Sequence, residues 1–258
     1  MVEGAPPRGI DVSTPNVARI YDYMLGGKDN FAADREAAEQ ILKAFPEARD
    51  GVRYNREFLG TAVRHLTEKA GIRQFVDIGA GLPTQRNVHE AARSITPDAH
   101  TVYVDNDPVV CVHGRAILAS SPGAAMVQAD LSRPKELVAA VAESGLIDWS
   151  RPVGVLMVAL LHFLPDPYEE VAYLREIMAP GSHLVITHMT LTDDRAGDTD
   201  QVRGVYEKTA SGLFPRAVAD IVRFFGDFEQ LDPAQFIDAA LLRRFSSLGW
   251  GAAARKGA

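Results

Sequence analysis

The stretch from Arg73 to Pro83, RQFVDIGAGLP, constrains the fold more than any other part of the chain. Phe75, Val76 and Ile78 form a short apolar run of the kind that sits inside a parallel sheet, and Gly79 and Gly81 then let the backbone turn sharply and approach a ligand. A helix is predicted from about Thr84 to Ser94. Strand, glycine turn and helix amino terminus together make the nucleotide-binding corner of a doubly wound α/β domain.

The same residues narrow the choice of nucleotide. A dinucleotide fingerprint requires a third glycine where this chain has Thr84. A phosphate P-loop fails as well, because Gly26-Gly27-Lys28 is followed by Asp29 and no strand precedes it. What remains is Asp-x-Gly-x-Gly with Asp77 inside the strand, and a carboxylate beside a glycine turn suits a cationic ligand. S-adenosylmethionine, with its ammonium and sulfonium, is such a ligand; a plain turn whose glycines only relieve strain is the competing reading. A second predicted strand, Thr101 to Val104, ends in Asp105-Asn106-Asp107-Pro108. Asp105 falls near the spacing at which an acidic side chain takes ribose hydroxyls, and Asp107 reads as the cap of a helix beginning at Pro108. A third, Ala125 to Gln128, runs to Asp130 and Leu131. A fourth, Val153 to Val158, leads into Ala159, Leu160 and His162 at the same rim, where His162 is a candidate general base. His183 to His188 is the fifth.

Ahead of the sheet the spacing predicts three helices. Thr14 caps the first, which starts at Pro15 and ends at Gly26-Gly27; Asn30 or Asp29 opens the second, to about Ala44; the third spans about Arg53 to Ala70. Asn16, Arg19, Tyr21, Asp22 and Tyr23 crowd onto the first helix and leave only a narrow apolar stripe of Val17, Ile20 and Met24. Such a helix either covers a polar ligand or is simply solvated.

These residues resemble a known family. The chain is similar to the S-adenosylmethionine-dependent methyltransferases, and more narrowly to an actinobacterial group long catalogued as a domain of unknown function. The narrower likeness rests on Ile10 to Arg19 (IDVSTPNVAR), Tyr21 to Phe31 (YDYMLGGKDNF), Tyr54-Asn55-Arg56 with Phe58-Leu59, and Asp77 to Thr84 (DIGAGLPT). It covers about residues 10 to 230; the tail departs from the family pattern at Asp232-Pro233-Ala234 and Phe236 to Arg244. The resemblance implies a class I, Rossmann-like α/β fold: a seven-stranded sheet in the order 3-2-1-4-5-7-6, its last strand antiparallel, with an amino-terminal helical extension. Phe228 to Leu231 and Gly249 to Arg255 would be the terminal hairpin, although by composition Gly251 to Ala258 reads as a loose end. It divides the chain into a helical extension or lid at 1–70 and a cofactor-binding body at 71–258. It further implies S-adenosylmethionine as cofactor and S-adenosylhomocysteine as product. Asp77, Gly79, Ala80 and Gly81 would hold the methionine part, Asp105 and Asn106 the ribose, and Asp130 and Leu131 the adenine. Ala159 and Leu160 would floor the reaction site, with Arg19, Tyr21, Tyr23, Gly26, Asn30, Tyr54 and Arg56 in the lid or against the acceptor.

At 258 residues and 47% hydrophobic the chain can bury one large core. Its net charge of −7 opposes a broad phosphate-binding surface, so a small-molecule acceptor is expected rather than nucleic acid. Cys111 is the only cysteine, and no metal site or covalent nucleophile stands out among the scattered histidines. Residues 1–9 lack an apolar secretory segment and Val153 to Leu164 is too short to span a bilayer, so a cytoplasmic protein with no membrane attachment is expected. Two other classes fit the same corner: a nicotinamide-dependent oxidoreductase, and a noncatalytic protein that senses adenosylmethionine.

Overall fold

The computed structural model describes residues 11–82, 87–190, 196–237 and 249–257. Among these run β1 (Gln74–Ile78), β2 (His100–Asp105), β3 (Ala124–Gln128), β4 (Gly154–Val158), β5 (His183–His188), β6 (Glu229–Gln230) and β7 (Trp250–Arg255). They build one sheet in the order β3-β2-β1-β4-β5-β7-β6. β1 to β5 pair in parallel, and β7 runs antiparallel to both β5 and β6. The order and the antiparallel hairpin are those the resemblance implied. The reading of Gly251 to Ala258 as a loose end is overturned for Gly251 to Arg255, which pair with β5, Ala254 and Arg255 also with β6, and Ala252, Ala253 and Ala254 are buried.

The helices are α1 (Val17–Leu25), α2 (Ala32–Ala44), α3 (Ala48–Glu68), α4 (Val88–Arg93), α5 (Pro108–Leu118), α6 (Pro134–Glu143), α7 (Tyr168–Ile177), α8 (Ala196–Tyr206) and α9 (Val218–Val222). Every residue of β1 is buried, and side chains alternate between two covered faces. Val76 and Ile78 pack with Leu137 and Val141 of α6 and Val171 and Leu174 of α7. Phe75 packs on the other face with Phe58 and Val63 of α3, Ala92 of α4 and Val110 of α5. Each fully buried side chain of this size contributes roughly 1.5 to 3 kcal/mol. By the same alternation Asp77 points to the α3 side, in register with Tyr103 and Leu156. A third cluster joins α1, α2 and α8 through Ile20, Met24, Ile41, Val202 and Val205.

The first helix begins later than predicted. Asn16, not Thr14, is its cap: the Asn16 Oδ1 accepts from the backbone N–H of Ala18 and Arg19, at 2.8 and 3.2 Å. The third begins earlier, at Ala48, and runs to Glu68. Asp107 caps α5 as expected, through Val109 N–H at 2.6 Å. Thr84 and Pro83 lie outside the described residues.

Candidate functional site

The strands β1, β2 and β4 end at one cleft with a volume of about 180 Å³. Its floor is the glycine turn. Gly79 has φ 71°, where an L side chain is strained, and a Cβ there would lie 2.6 Å from the Leu160 Cδ1. The turn is fastened by backbone: Gly79 and Ala80 N–H both donate to Val104 O, at 2.8 and 3.1 Å. Asp105 holds the far side, its Oδ2 accepting from Gly81 N–H at 2.9 Å and its Oδ1 from Asp107 N–H at 3.0 Å. Burial pushes the Asp105 carboxyl above its ordinary range, against the pull of those two bonds.

Asp77 is the most exposed to electrostatic cost. It is 4% accessible, lines the cleft, and among the described residues its carboxylate accepts no hydrogen bond. Burial, opposed by Arg56 and reinforced by Asp105, raises it to about 7. A buried carboxylate without donors is expensive, and a ligand cation would relieve that cost. Asp130 completes an acidic rim. Burial works against its ionised form, but bonds from Ser132 N–H at 2.9 Å and Asn106 Nδ2 at 3.3 Å leave it below the usual carboxylate range. Leu131, 5% exposed, lines the cleft beside it.

One wall of the cleft is α1, through Asn16, Val17, Ala18, Tyr21 and Asp22. Asn16 ties it down, since its Nδ2 donates to Asp107 Oδ2, so one asparagine caps α1 and grips the cap of α5. Tyr21 belongs to a relay that sequence reasoning did not anticipate. Ala159 N–H donates to Thr187 Oγ1 at 2.8 Å, Thr187 to Asn55 Oδ1 at 2.6 Å, Asn55 Nδ2 to the Tyr21 hydroxyl at 2.9 Å, and Tyr21 to Val52 O at 3.1 Å. Ala159, at φ 54°, is a non-glycine residue held in the left-handed region by this anchorage.

Asp77, Gly79, Ala80, Gly81, Asp105, Asn106, Asp130, Leu131, Ala159, Leu160, Tyr21 and Arg56 therefore come together. Other predicted residues lie elsewhere. Arg19 is buried against Asp34 at 2.7 Å, and Asp34 also takes Asn16 and Phe31 N–H. Tyr23 bonds Glu39 near the surface, and Gly26 is the left-handed C-cap of α1. Asn30 donates to Asp22 Oδ2 at 2.9 Å, which also takes Asp29 N–H; a Cβ on Gly27 would fall onto the Asp22 carboxylate. The Gly26-Gly27 break is thus a bonded turn around Asp22. Tyr54 packs half-buried on the α3 core. His162 is buried in an adjoining cavity, where burial, with His188 and Arg216 nearby, drives its proton affinity far down. Its Nδ1 accepts from Met189 N–H at 3.3 Å, which puts the proton of the neutral ring on Nε2.

Arg216 was also not anticipated. It is 8% exposed, pairs with no carboxylate among the described residues, and donates to the carbonyls of Leu161, Phe214, Leu164 and Pro165 and to His188 Nε2 at 3.0 Å. No local motif signals it, because every partner is backbone or distant in sequence.

A sheet of this order, with its glycine-turn cleft at the carboxyl ends of β1, β2 and β4, defines a class I methyltransferase. The chain belongs to the S-adenosyl methyltransferase family, whose model matches residues 3–240; that family is adenosylmethionine-dependent. It is similar to the solved structure of a "putative methyltransferase" from Thermobifida fusca YX, with 39% identity, 98% of this chain and 99% of that one covered, and a TM-score of 0.89. A DUF574 family protein from Streptomyces avermitilis is 35% identical over 95% of this chain and 99% of its own, with a TM-score of 0.87. The carbon methyltransferase CurJ shares the fold alone, at 14% identity over 93% of this chain and 67% of that one, TM-score 0.55. No curated protein matches. No helix among the described residues is long and apolar enough to cross a membrane.

Proposed function

We propose that this chain binds S-adenosylmethionine in the β1–β2–β4 cleft and transfers its methyl group to a small-molecule acceptor. The observation that carries the reading is Asp77: a buried carboxylate without a hydrogen-bond donor, at the mouth of a glycine turn, is completed by a ligand ammonium. Gly79, Ala80 and Gly81 leave room for the methionine part, and Asp105 with Asn106 takes the ribose hydroxyls. Asp130 faces the adenine amino group and Leu131 covers its ring. The cofactor supplies an electrophilic methyl carbon and is left as S-adenosylhomocysteine. Within residues 1–70, α1 walls the cleft, excludes water and fixes the acceptor beside Ala159 and Leu160; residues 71–258 carry the cofactor. Positioning of this kind accounts for roughly 7 to 11 kcal/mol of a barrier in favourable cases. With Nδ1 engaged by Met189, His162 serves the acceptor as a neutral hydrogen-bond donor. Calorimetric titration with adenosylmethionine and with nicotinamide dinucleotides tests the reading: saturable one-to-one binding of the first and none of the second is expected, and the reverse refutes it.

A further inference from the structure

Beside the cofactor cleft lies a second cavity, of about 110 Å³, which shares Tyr21, Asn55, Ala159 and Phe163 with it. Its lining contains no Asp, Glu, Lys or Arg among the described residues. The contrast with the acidic cleft next door is sharp, since only uncharged walls separate the two. Most of the surface is apolar, from Met24, Ile41, Phe45, Val52, Phe163 and Val202. The volume approaches that of a cavity that takes a benzene ring, roughly 150 Å³.

The polar groups on the wall are few and mostly committed. Tyr21, Asn55 and Thr187 are spent on one another and on Val52 O. His188 donates from Nδ1 to Met189 O at 2.7 Å and accepts at Nε2 from Arg216. That leaves His162 Nε2 and the Tyr206 hydroxyl without a hydrogen-bond partner among the described residues, both on this cavity. Behind this end sits the Arg216 guanidinium, with the His188 and His162 ring centroids 5.3 Å apart in front of it. A buried cation with no anion partner sets a positive potential at that wall, which favours an electron-rich oxygen and disfavours a second cation.

We propose that this cavity is the acceptor site and selects an uncharged, apolar molecule about one ring wide that presents a hydroxyl to His162 and Tyr206; the proposal rests on the neighbouring cleft being the cofactor site. A charged substituent entering it would exchange its hydration for at most two neutral donors, because the Arg216 N–H groups are already given to carbonyls and to His188, and that exchange is far costlier than burying a hydroxyl whose one oxygen those donors satisfy.

The test uses the full chain saturated with S-adenosylhomocysteine and three probes that share one ring: p-cresol, 4-methylbenzoate and 4-methylbenzylammonium, titrated by saturation-transfer NMR. The expected result is saturable p-cresol binding with both charged probes at least tenfold weaker. V202W, which fills the cavity from α8, is expected to weaken p-cresol at least tenfold while S-adenosylhomocysteine binds as before; Y206F, which removes a single oxygen, is expected to weaken p-cresol about threefold and leave toluene unaffected. Charged probes binding as well as p-cresol, or p-cresol indifferent to both substitutions, would overturn the proposal and leave the cofactor reading intact. A wild-type chain that does not bind S-adenosylhomocysteine would overturn both.

Discussion

Replacing Asp77 by Asn should stabilise the ligand-free protein above neutral pH while abolishing its ligand affinity. Asp77 has a folded-state pKa raised from 3.8 to about 7 by burial. For a group raised in this way, the native state holds its proton more tightly than the unfolded chain. Its contribution is fully present below the unfolded value, drains away as pH rises from about 4, and is gone once pH passes about 7. At roughly 1.4 kcal/mol per pH unit, an elevation of this size makes ionised Asp77 cost the native state about 4 kcal/mol, an upper bound because the interior relaxes around a new charge. Asn has the same shape and never ionises. The stability gap between D77N and wild type should therefore be small near pH 4.5, widen steadily, and level off above pH 7.5 with the variant the more stable by about 2 to 4 kcal/mol. Urea unfolding of both proteins across that range, without ligand, measures it. A gap that stays constant with pH, or a variant less stable at pH 8, would show that the Asp77 carboxylate is not the unsatisfied buried charge described here.

The wild-type protein should release about half a proton on binding adenosylmethionine at pH 7, because an ammonium partner holds Asp77 ionised; calorimetry in two buffers of different ionisation heat reads this directly. Asp105→Ala should weaken adenosylmethionine binding by about 1.5 to 3 kcal/mol, the range for hydrogen bonds to a charged group, measured by titration of a variant shown to be folded. Asn16→Ala should cost about 0.5 to 2 kcal/mol through loss of the α1 cap, and hydrogen exchange should rise within α1 with the sheet unaffected. Arg216→Met should destabilise by at least about 3 kcal/mol, because the carbonyls of Leu161, Leu164 and Pro165 lose their donors at once; an unchanged urea midpoint would contradict the role given to it.

The sheet was legible because parallel strands buried on both faces must be continuous apolar runs, and β5 was bounded correctly with the help of the Pro180-Gly181 break before it. The acidic ends of β1, β2 and β3 were legible for the related reason that a carboxylate closing such a run has few structural excuses. β7 was not legible from composition, since its Gly-Ala-Ala-Ala pattern carries no β propensity and becomes a strand by pairing along its length with β5. The amino-terminal polar residues were found but their use was not. Arg19 and Asn30 were expected toward a ligand, and the structure spends them on Asp34 and on Asp22 in the turn at Gly26-Gly27, partners that only the folded chain brings close. Arg216 left no trace in sequence because its acceptors are carbonyls, which every residue has.

The relay from Ala159 to Val52 has a single direction: each member gives its proton toward Val52 and receives one from the side of Ala159. Positions 21, 55 and 187 are therefore one character rather than three where substitutions accumulate. Losing Tyr21 leaves an amide proton stranded, losing Thr187 strands an amide oxygen and frees Ala159 from the anchor of its left-handed conformation, and each loss makes the next cheaper. Chains that have exchanged these residues should have exchanged them as a set, and a designer who wishes to reshape the partition between the two cavities has to replace the whole relay in one step.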